Sequence, residues 1–325
     1  MSDTIELQRE SDDQTAPFVR PDVAMLLAML AAAGAPPVNE LSPADAREAY
    51  RMMRFVADAE PTELAIVRDL TCPGPAGEIG LRYYDARETR QAGPVIMFFH
   101  GGGFVIGDLE SHHPYCTELA AKVDLPVVAV DYRLAPEHPF PAATDDCEAA
   151  ARWLAENGKA LGLDITGLVF TGDSAGGNLA IVTTQALIAN PAAVPVIAQA
   201  PLYPVVDSTQ VEGSFSEFAE GYLLTSATMN WFGDAYAATP GDIRNDCING
   251  DIASLPPTLL VTAGLDPLRD QGRDFAAKAI LAGVDVTFME MRGTIHGFIC
   301  LRKGIPSAQE DCDAIFRGMK AMLAL

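Results

Sequence analysis

The sequence predicts an α/β fold: a mostly parallel central sheet flanked by helices, with a helical cap. Three observations carry this. From residue 94 onward, short continuous apolar runs alternate with helical stretches, as in a parallel sheet covered on both faces. The stretches between runs are long enough for right-handed crossovers. One interval, from about residue 202 to 257, far exceeds the dozen or so residues a crossover needs and is rich in aromatics.

Taken in order, positions 1–20 are polar and read as mobile. From Pro21 to about Ala59 the pattern is helical: Val23, Leu26, Leu27 and Leu30 share one face. Ser42-Pro43-Ala44-Asp45 reads as an N-cap followed by proline at the first helical position. Strand-like segments follow at 64–70 and 79–84. Val95–Phe99, Pro126–Val130, Leu168–Phe170, Val194–Ala198 and Thr258–Thr262 are the apolar runs, and Val284–Met289 is a further apparent strand. Helical stretches lie near 112–123, 143–157, 175–189 and 268–282. The long interval carries Phe215, Phe218, Tyr222, Trp231, Phe232 and Tyr236 and reads as an inserted helical lid. Residues 1–59 are thus expected as N-terminal cap helices. Residues 60–325 are expected as a catalytic domain with a cap insertion at about 205–250.

A chain of 325 residues, 49% hydrophobic, can bury one large core, or one core and a smaller lid. Its net charge of −22, from 44 acidic and 22 basic residues, argues against nucleic acid and against anionic membrane surfaces. No apolar run approaches the roughly 18 residues that span a bilayer; the longest, Val23–Ala33, reads as a short amphipathic or buried helix. The start Met1–Glu6 is acidic and lacks the basic opening of a secretory signal. The expectation is a cytoplasmic protein with no stable membrane anchoring. Cys72, Cys116, Cys147, Cys247, Cys300 and Cys312 lie far apart without metal-ligand spacing and read as reduced core residues.

The chemistry is concentrated in Thr171-Gly172-Asp173-Ser174-Ala175-Gly176-Gly177, set between the apolar run Leu168–Phe170 and a helix. A Gly-x-Ser-x-Gly at a strand-to-helix reversal is a nucleophile elbow. The tight turn exposes Ser174 Oγ at a helix N-terminus, where backbone N–H groups favour negative charge. Phosphate binding is excluded on the residues that would carry it. Asn178 stands where a Walker loop needs lysine, and Ile106 where the dinucleotide fingerprint needs its last glycine.

A serine nucleophile needs a base, and the base an orienting carboxylate, in the chain order Ser, Asp/Glu, His. Of the five histidines, His100, His112, His113, His138 and His296, only His296 follows Ser174. The acid should follow the run Leu259–Thr262, where Asp266 and Asp270 both qualify. Asp266 precedes Pro267 and could instead cap the next helix, and one carboxylate does not easily cap a helix and hold His296 as well. His100-Gly101-Gly102-Gly103 follows the strand Val95–Phe99, the place of an HGGG oxyanion turn. Gly102 and Gly103 are the expected N–H donors, joined by Ala175, while His100 fixes the loop.

These residues identify a resemblance. The chain resembles the bacterial hormone-sensitive lipase-like carboxylesterases, the GDSAG branch of the α/β-hydrolase fold. The matching pieces are His100–Phe104, Asp131–Ala143, Gly172–Asn178, Asp266–Leu268 and His296–Phe298, in the family's order from about residue 94 to 300. The resemblance implies a cap built from the N-terminal helices and the insertion after residue 202, and favours Asp266 over Asp270. It also implies that Asp131 and Arg133 brace loops near the oxyanion turn. A homodimer through the sheet edge near residues 284–290 is a further implication.

The expected activity is hydrolysis of short- to medium-chain carboxylic esters through an acyl-enzyme, with Ser174 as nucleophile, His296 as base and Asp266 orienting it. The expected partner is a small-molecule ester; no cofactor and no metal is required. The rivals are an amidase or other acyl hydrolase on the same triad, and a ligand-binding relative that has lost catalysis. The second is disfavoured by the presence of His296.

Overall fold

The computed structural model describes residues 16–325. The acidic start Met1–Glu6, most of the polar stretch 1–20, and the first part of the segment 1–59 lie outside the described residues. Each apolar run read from the sequence as a strand lies in one eight-stranded sheet. The strands are β1 (Ile66–Gly74), β2 (Gly77–Asp85), β3 (Gly93–Phe99), β4 (Val127–Asp131), β5 (Ile165–Asp173), β6 (Val196–Leu202), β7 (Thr258–Leu265) and β8 (Val286–Ile295). Their spatial order is β1-β2-β4-β3-β5-β6-β7-β8. The pairings β1–β2 and β2–β4 are antiparallel and the rest parallel.

Alternation along β3 explains why its apolar run is continuous. Ile96 and Phe98 enter one core with Tyr115, Leu119, Ile315 and Phe316, whereas Val95, Met97 and Phe99 enter another with Ala150, Leu154 and Leu179. The first core lies under α3 (His113–Val123) and α9 (Ala308–Met322), the second under α4 (Ala142–Asn157) and α5 (Ala175–Ala189). With side chains pointing alternately to two covered faces, no position on the strand can be polar. Strand order runs outward in opposite directions from β3, to β4 on one side and β5 on the other. That reversal opens a crevice at the carboxyl ends of the strands. The residues just past β3 and β5 therefore meet there.

The N-terminal helices are α1 (Pro21–Ala33) and α2 (Pro43–Ala57). Ser42 caps α2, its hydroxyl accepting the Asp45 N–H at 3.2 Å. On α1 the expected face is only partly covered: Val23 and Leu26 are buried, but Leu30 is exposed. Contrary to the sequence reading, Pro21–Glu40 is twenty residues long and apolar enough by composition to cross a bilayer. Its continuous helix nevertheless ends at Ala33, because Gly34 turns left-handed at φ 62° and Pro36 and Pro37 follow. Thirteen residues rise only about 20 Å.

These helices are pinned to the sheet domain by ion pairs. Arg302 binds Asp58 with both side chains almost fully buried, at 2.8 and 3.0 Å. Arg20 binds both oxygens of Asp311 in α9, at 2.6 and 3.0 Å. Between β6 and β7 the insertion holds two short α-helices, α6 (Ser214–Glu217) and α7 (Ser226–Tyr236), and the 3-10 turn Cys247–Asn249, and its other described residues are irregular. It meets the N-terminal segment where Thr228 Oγ1 donates to Asn39 Oδ1 at 3.2 Å. All six cysteines are buried and free.

Candidate active site

Ser174 stands between the last residue of β5 and the first of α5. Its backbone is at φ 56°, ψ −118°, a conformation a non-glycine residue holds only at a cost of roughly 1–3 kcal/mol. The surroundings enforce it: Ser174 N–H donates to Leu202 O at 2.9 Å, and Ser174 O accepts the Asn178 N–H at 3.0 Å. Gly176 is required by close approach, since a Cβ there would overlap the Phe99 carbonyl oxygen of β3.

His296 follows β8, and Asp266 follows β7. The fold brings all three together. His296 Nε2 lies 2.8 Å from Ser174 Oγ, and His296 Nδ1 lies 2.7 Å from Asp266 Oδ2. The other Asp266 oxygen accepts the Leu268 N–H at 2.8 Å. Asp266 does not cap α8 (Arg269–Leu281), whose N-cap is Leu268 without a side-chain cap, so it does not have to cap a helix and hold His296 as well. The two oxygens diverge, and each takes one donor. Tyr203, at φ 34°, packs edge-on against the His296 ring with centroids 4.7 Å apart.

Asp270 is turned away from His296. Its Oδ2 accepts the Ser214 N–H at 2.9 Å, and its Oδ1 takes bonds from Arg269 and Arg273, each at 2.9 Å. Burial would raise its carboxyl, but these arginines and the Ser214 N–H hold it below the ordinary carboxylate range. Asp270 fastens α6 of the insertion onto α8.

The glycine turn after β3 lies across from the elbow. Gly102 and Gly103 have φ 117° and 60°, which glycine alone adopts readily. Among the described residues neither of their N–H groups finds a carbonyl or side-chain acceptor. A Cβ on Gly103 would overlap the Phe232 ring of α7, so the insertion sits directly on this turn. His100 stacks on Tyr132 at 4.2 Å, and Tyr132 OH donates to His100 O at 2.6 Å. Burial, then the neighbouring His112, push the His100 imidazole down to about 4, so it is a neutral part of the scaffold.

The segment Asp131–Ala143 braces this turn through residues other than those expected. Arg133 binds Asp146 of α4 at 2.8 Å, and Asp131 is exposed at the end of β4. The bracing comes instead from Tyr132 and from Ala135, whose N–H donates to Phe104 O at 2.9 Å. Arg47 of α2 adds bonds to Val105 O and Ala135 O, both at 2.8 Å. Tyr236 of α7 stacks on Phe104 at 3.8 Å.

The α/β-hydrolase-fold family pattern matches residues 96–300. The chain belongs to the α/β-hydrolase family. This α/β-hydrolase is 37% identical to the esterase LipI of Mycobacterium tuberculosis, covering 87% of this chain and 89% of that one. It is 34% identical to the ethyl acetate hydrolase of Pseudomonas putida, over 90% and 95% of the two chains. Among solved structures, an ester hydrolase from the metagenome of Lake Arreo, bound to a bipyridine phosphonate derivative, superposes with a TM-score of 0.89. The two share 39% identity over 94% of this chain and 100% of that one. The hydrolase thus sits with the bacterial hormone-sensitive lipase-like carboxylesterases that its motifs resemble.

Sequence reasoning passed over several residues of this α/β-hydrolase. Asp173 counted only as a spacer within the elbow, and His112 was set aside because it precedes Ser174. A charged residue ending an otherwise apolar strand, at Asp173, was the available signal. Arg47 and Tyr203 carried none, since the partners described for them are distant in sequence.

Proposed function

We propose that this α/β-hydrolase is a serine carboxylesterase acting on small esters with short to medium acyl chains. The hydrogen-bonded line Ser174–His296–Asp266, beside a glycine turn with two N–H groups that have no acceptor among the described residues, carries the reading. Ser174 Oγ attacks the ester carbonyl carbon while His296 Nε2 takes its proton. Asp266 holds the ring with Nε2 towards the serine and stabilises the imidazolium. The carbonyl oxygen becomes an oxyanion received by the N–H groups of Gly102, Gly103 and Ala175, at the N-terminus of α5. Removing one such donor typically costs roughly 3–4 kcal/mol of barrier. His296 returns the proton to the leaving alkoxide, and the acyl group stays on Ser174. Water, deprotonated by the same histidine, attacks the acyl carbon; the bond to Ser174 Oγ breaks, His296 returns the proton to Oγ, and the carboxylic acid is released.

α1, α2 and the insertion form a cap over this site, with the described part of residues 1–59 and about 205–250 as its two parts. Phe232 against Gly103 and Thr228 against Asn39 support that assignment. A homodimer through β8, at the free edge of the sheet, and a cytoplasmic location belong to the same reading.

The test is turnover of p-nitrophenyl esters together with labelling by a serine-directed fluorophosphonate. Wild type should hydrolyse acetate to hexanoate esters and label stoichiometrically, and Ser174→Ala should do neither. An enzyme that labels but turns over only matched amides would be an amidase instead.

A further inference from the structure

We propose that His112 is a positioning residue for catalysis: paired with Asp173, it holds the oxyanion turn in register with Ser174. Asp173 immediately precedes the nucleophile and is buried. Its Oδ1 accepts the Gly101 N–H at 2.8 Å. The carboxylate lies so close to Gly101 that a Cβ there would overlap Oδ2. This one side chain therefore bridges the two halves of the site, the elbow on β5 and the glycine turn after β3. Gly101 is the residue before Gly102 and Gly103, so the orientation of its peptide sets where their N–H groups point.

A buried carboxylate needs an opposite charge or N–H donors beside it, or it takes a proton. Among the described residues no lysine or arginine pairs with Asp173. His112 does, with Nε2 3.1 Å from Oδ1. The contact is a close electrostatic one rather than an aligned hydrogen bond. A lone pair on Nε2 facing a carboxylate oxygen at that distance would be repelled, so Nε2 carries a proton. Burial would raise the Asp173 carboxyl, but His112 and the Gly101 N–H hold it below the ordinary range.

The His112 ring is itself fixed. Nδ1 lies 2.9 Å from Ser111 Oγ, and the ring packs between Phe98 and Tyr50, with centroids 5.7 and 6.0 Å away. Ser111 belongs to a tight turn with Asp108, whose N–H donates to Ser111 Oγ at 2.9 Å. Asp108 is bound in turn by Arg51 of α2 at 2.6 Å. The series Arg51, Asp108, Ser111, His112, Asp173, Gly101 thus links the N-terminal helices to the oxyanion turn without touching substrate. Removing His112 would leave the buried Asp173 carboxylate without its imidazole partner, and the Gly101 anchor would loosen. The oxyanion exists only on the way to product, so the loss should fall on kcat more than on KM.

The proposal rests on the esterase reading, which Ser174→Ala, assayed alongside, tests separately. The experiment measures kcat, KM and melting temperature on p-nitrophenyl acetate for His112→Leu, Asp173→Asn and the double variant. Asparagine keeps an oxygen for the Gly101 N–H but has no charge to balance. We expect His112→Leu to lower kcat by about 10²-fold, the size of losing one oxyanion donor, with KM within about threefold. In the Asp173→Asn background the same change should cost less than about threefold. The proposal is overturned if His112→Leu keeps kcat within about threefold of wild type, or if the two losses simply multiply. Should His112→Leu alone not fold, the comparison of Asp173→Asn with the double variant decides. A further kcat loss above about tenfold there overturns the proposal, and a smaller one supports it.

Discussion

Asp266 divides its carboxylate between the base and the backbone: Oδ2 meets His296 Nδ1 at 2.7 Å, while Oδ1 accepts the Leu268 N–H at 2.8 Å. The second bond prevents the carboxylate from rotating away from the imidazole. The turn that starts α8 and the orientation of the base are therefore one structural unit. Asp270, four residues on, serves the insertion instead.

The triad assignment gives an ordered set of losses. Ser174→Ala and His296→Ala should each reduce kcat by roughly 10⁴- to 10⁶-fold with little change in melting temperature. Asp266→Asn should cost roughly 10³- to 10⁴-fold, since a misoriented imidazole keeps some basicity. Asp270→Asn should stay within about tenfold of wild type. Steady-state kinetics on one ester would show it, and the reverse order of the two aspartates would refute the assignment of the acid.

The buried Arg302–Asp58 pair should matter for stability far more than the surface pairs. Both side chains are essentially inaccessible, and Glu118 of α3 is the second carboxylate paired with Arg302, so deleting Asp58 removes one of the two charges that balance the buried guanidinium. Asp58→Ala should lower unfolding stability by up to about 3–5 kcal/mol. Glu48→Ala, removing an exposed partner of Arg51, should cost less than about 1 kcal/mol. Urea denaturation of both variants would measure the contrast.

Stability should fall on acidification in two overlapping stages. His100 is pushed down to about 4 in the folded chain, so below its unfolded value near 6.5 the unfolded state binds the extra proton. Its contribution is complete above about pH 6.5 and disappears as pH falls towards 4, a total of about 3 kcal/mol. Asp108, Asp173 and Asp270, all held below the ordinary carboxylate value, lose their contributions at still lower pH. Urea midpoints should therefore decline steadily from pH 7 to 4, and His100→Asn should flatten the upper part of that decline. A midpoint constant down to pH 4 would contradict the assignment.

Acyl-chain preference should report the cap. Each methylene buried under it contributes up to about 0.8 kcal/mol, so kcat/KM should rise with acyl length until the cavity is full and then drop. Phe232→Ala, which clears the ring from above Gly103, should move the optimum towards longer chains. Removing residues 1–45 should shift or abolish the preference, because that deletion takes away α1 and its buried Val23 and Leu26. An unchanged profile across p-nitrophenyl acetate to dodecanoate in both variants would remove the cap from the pocket.

What the sequence determined by itself was whatever depends on neighbours along the chain. Runs such as Val95–Phe99 must alternate between two covered faces, so their continuity revealed a parallel sheet. Ser42 and Pro43 announced the start of α2 through local backbone chemistry. The glycines around Ser174 and after His100 marked tight turns, and chain order left His296 as the one candidate base.

Tertiary structure decided whatever depends on partners far apart. Whether Asp266 or Asp270 faces His296 turns on how β7, β8 and the insertion pack, and both aspartates have the same local credentials. The insertion reads as helical from its aromatics, yet most of it is irregular: Phe218 lies just past α6 beneath Arg269, and of the two only Tyr236, stacked on Phe104, is buried from a helix. His112 beside Asp173, and Arg302 beside Asp58, are separated by 61 and 244 residues. Nothing local distinguishes a histidine that will meet a carboxylate in the interior from one that will not. That meeting is set by strand order, which only the folded sheet supplies.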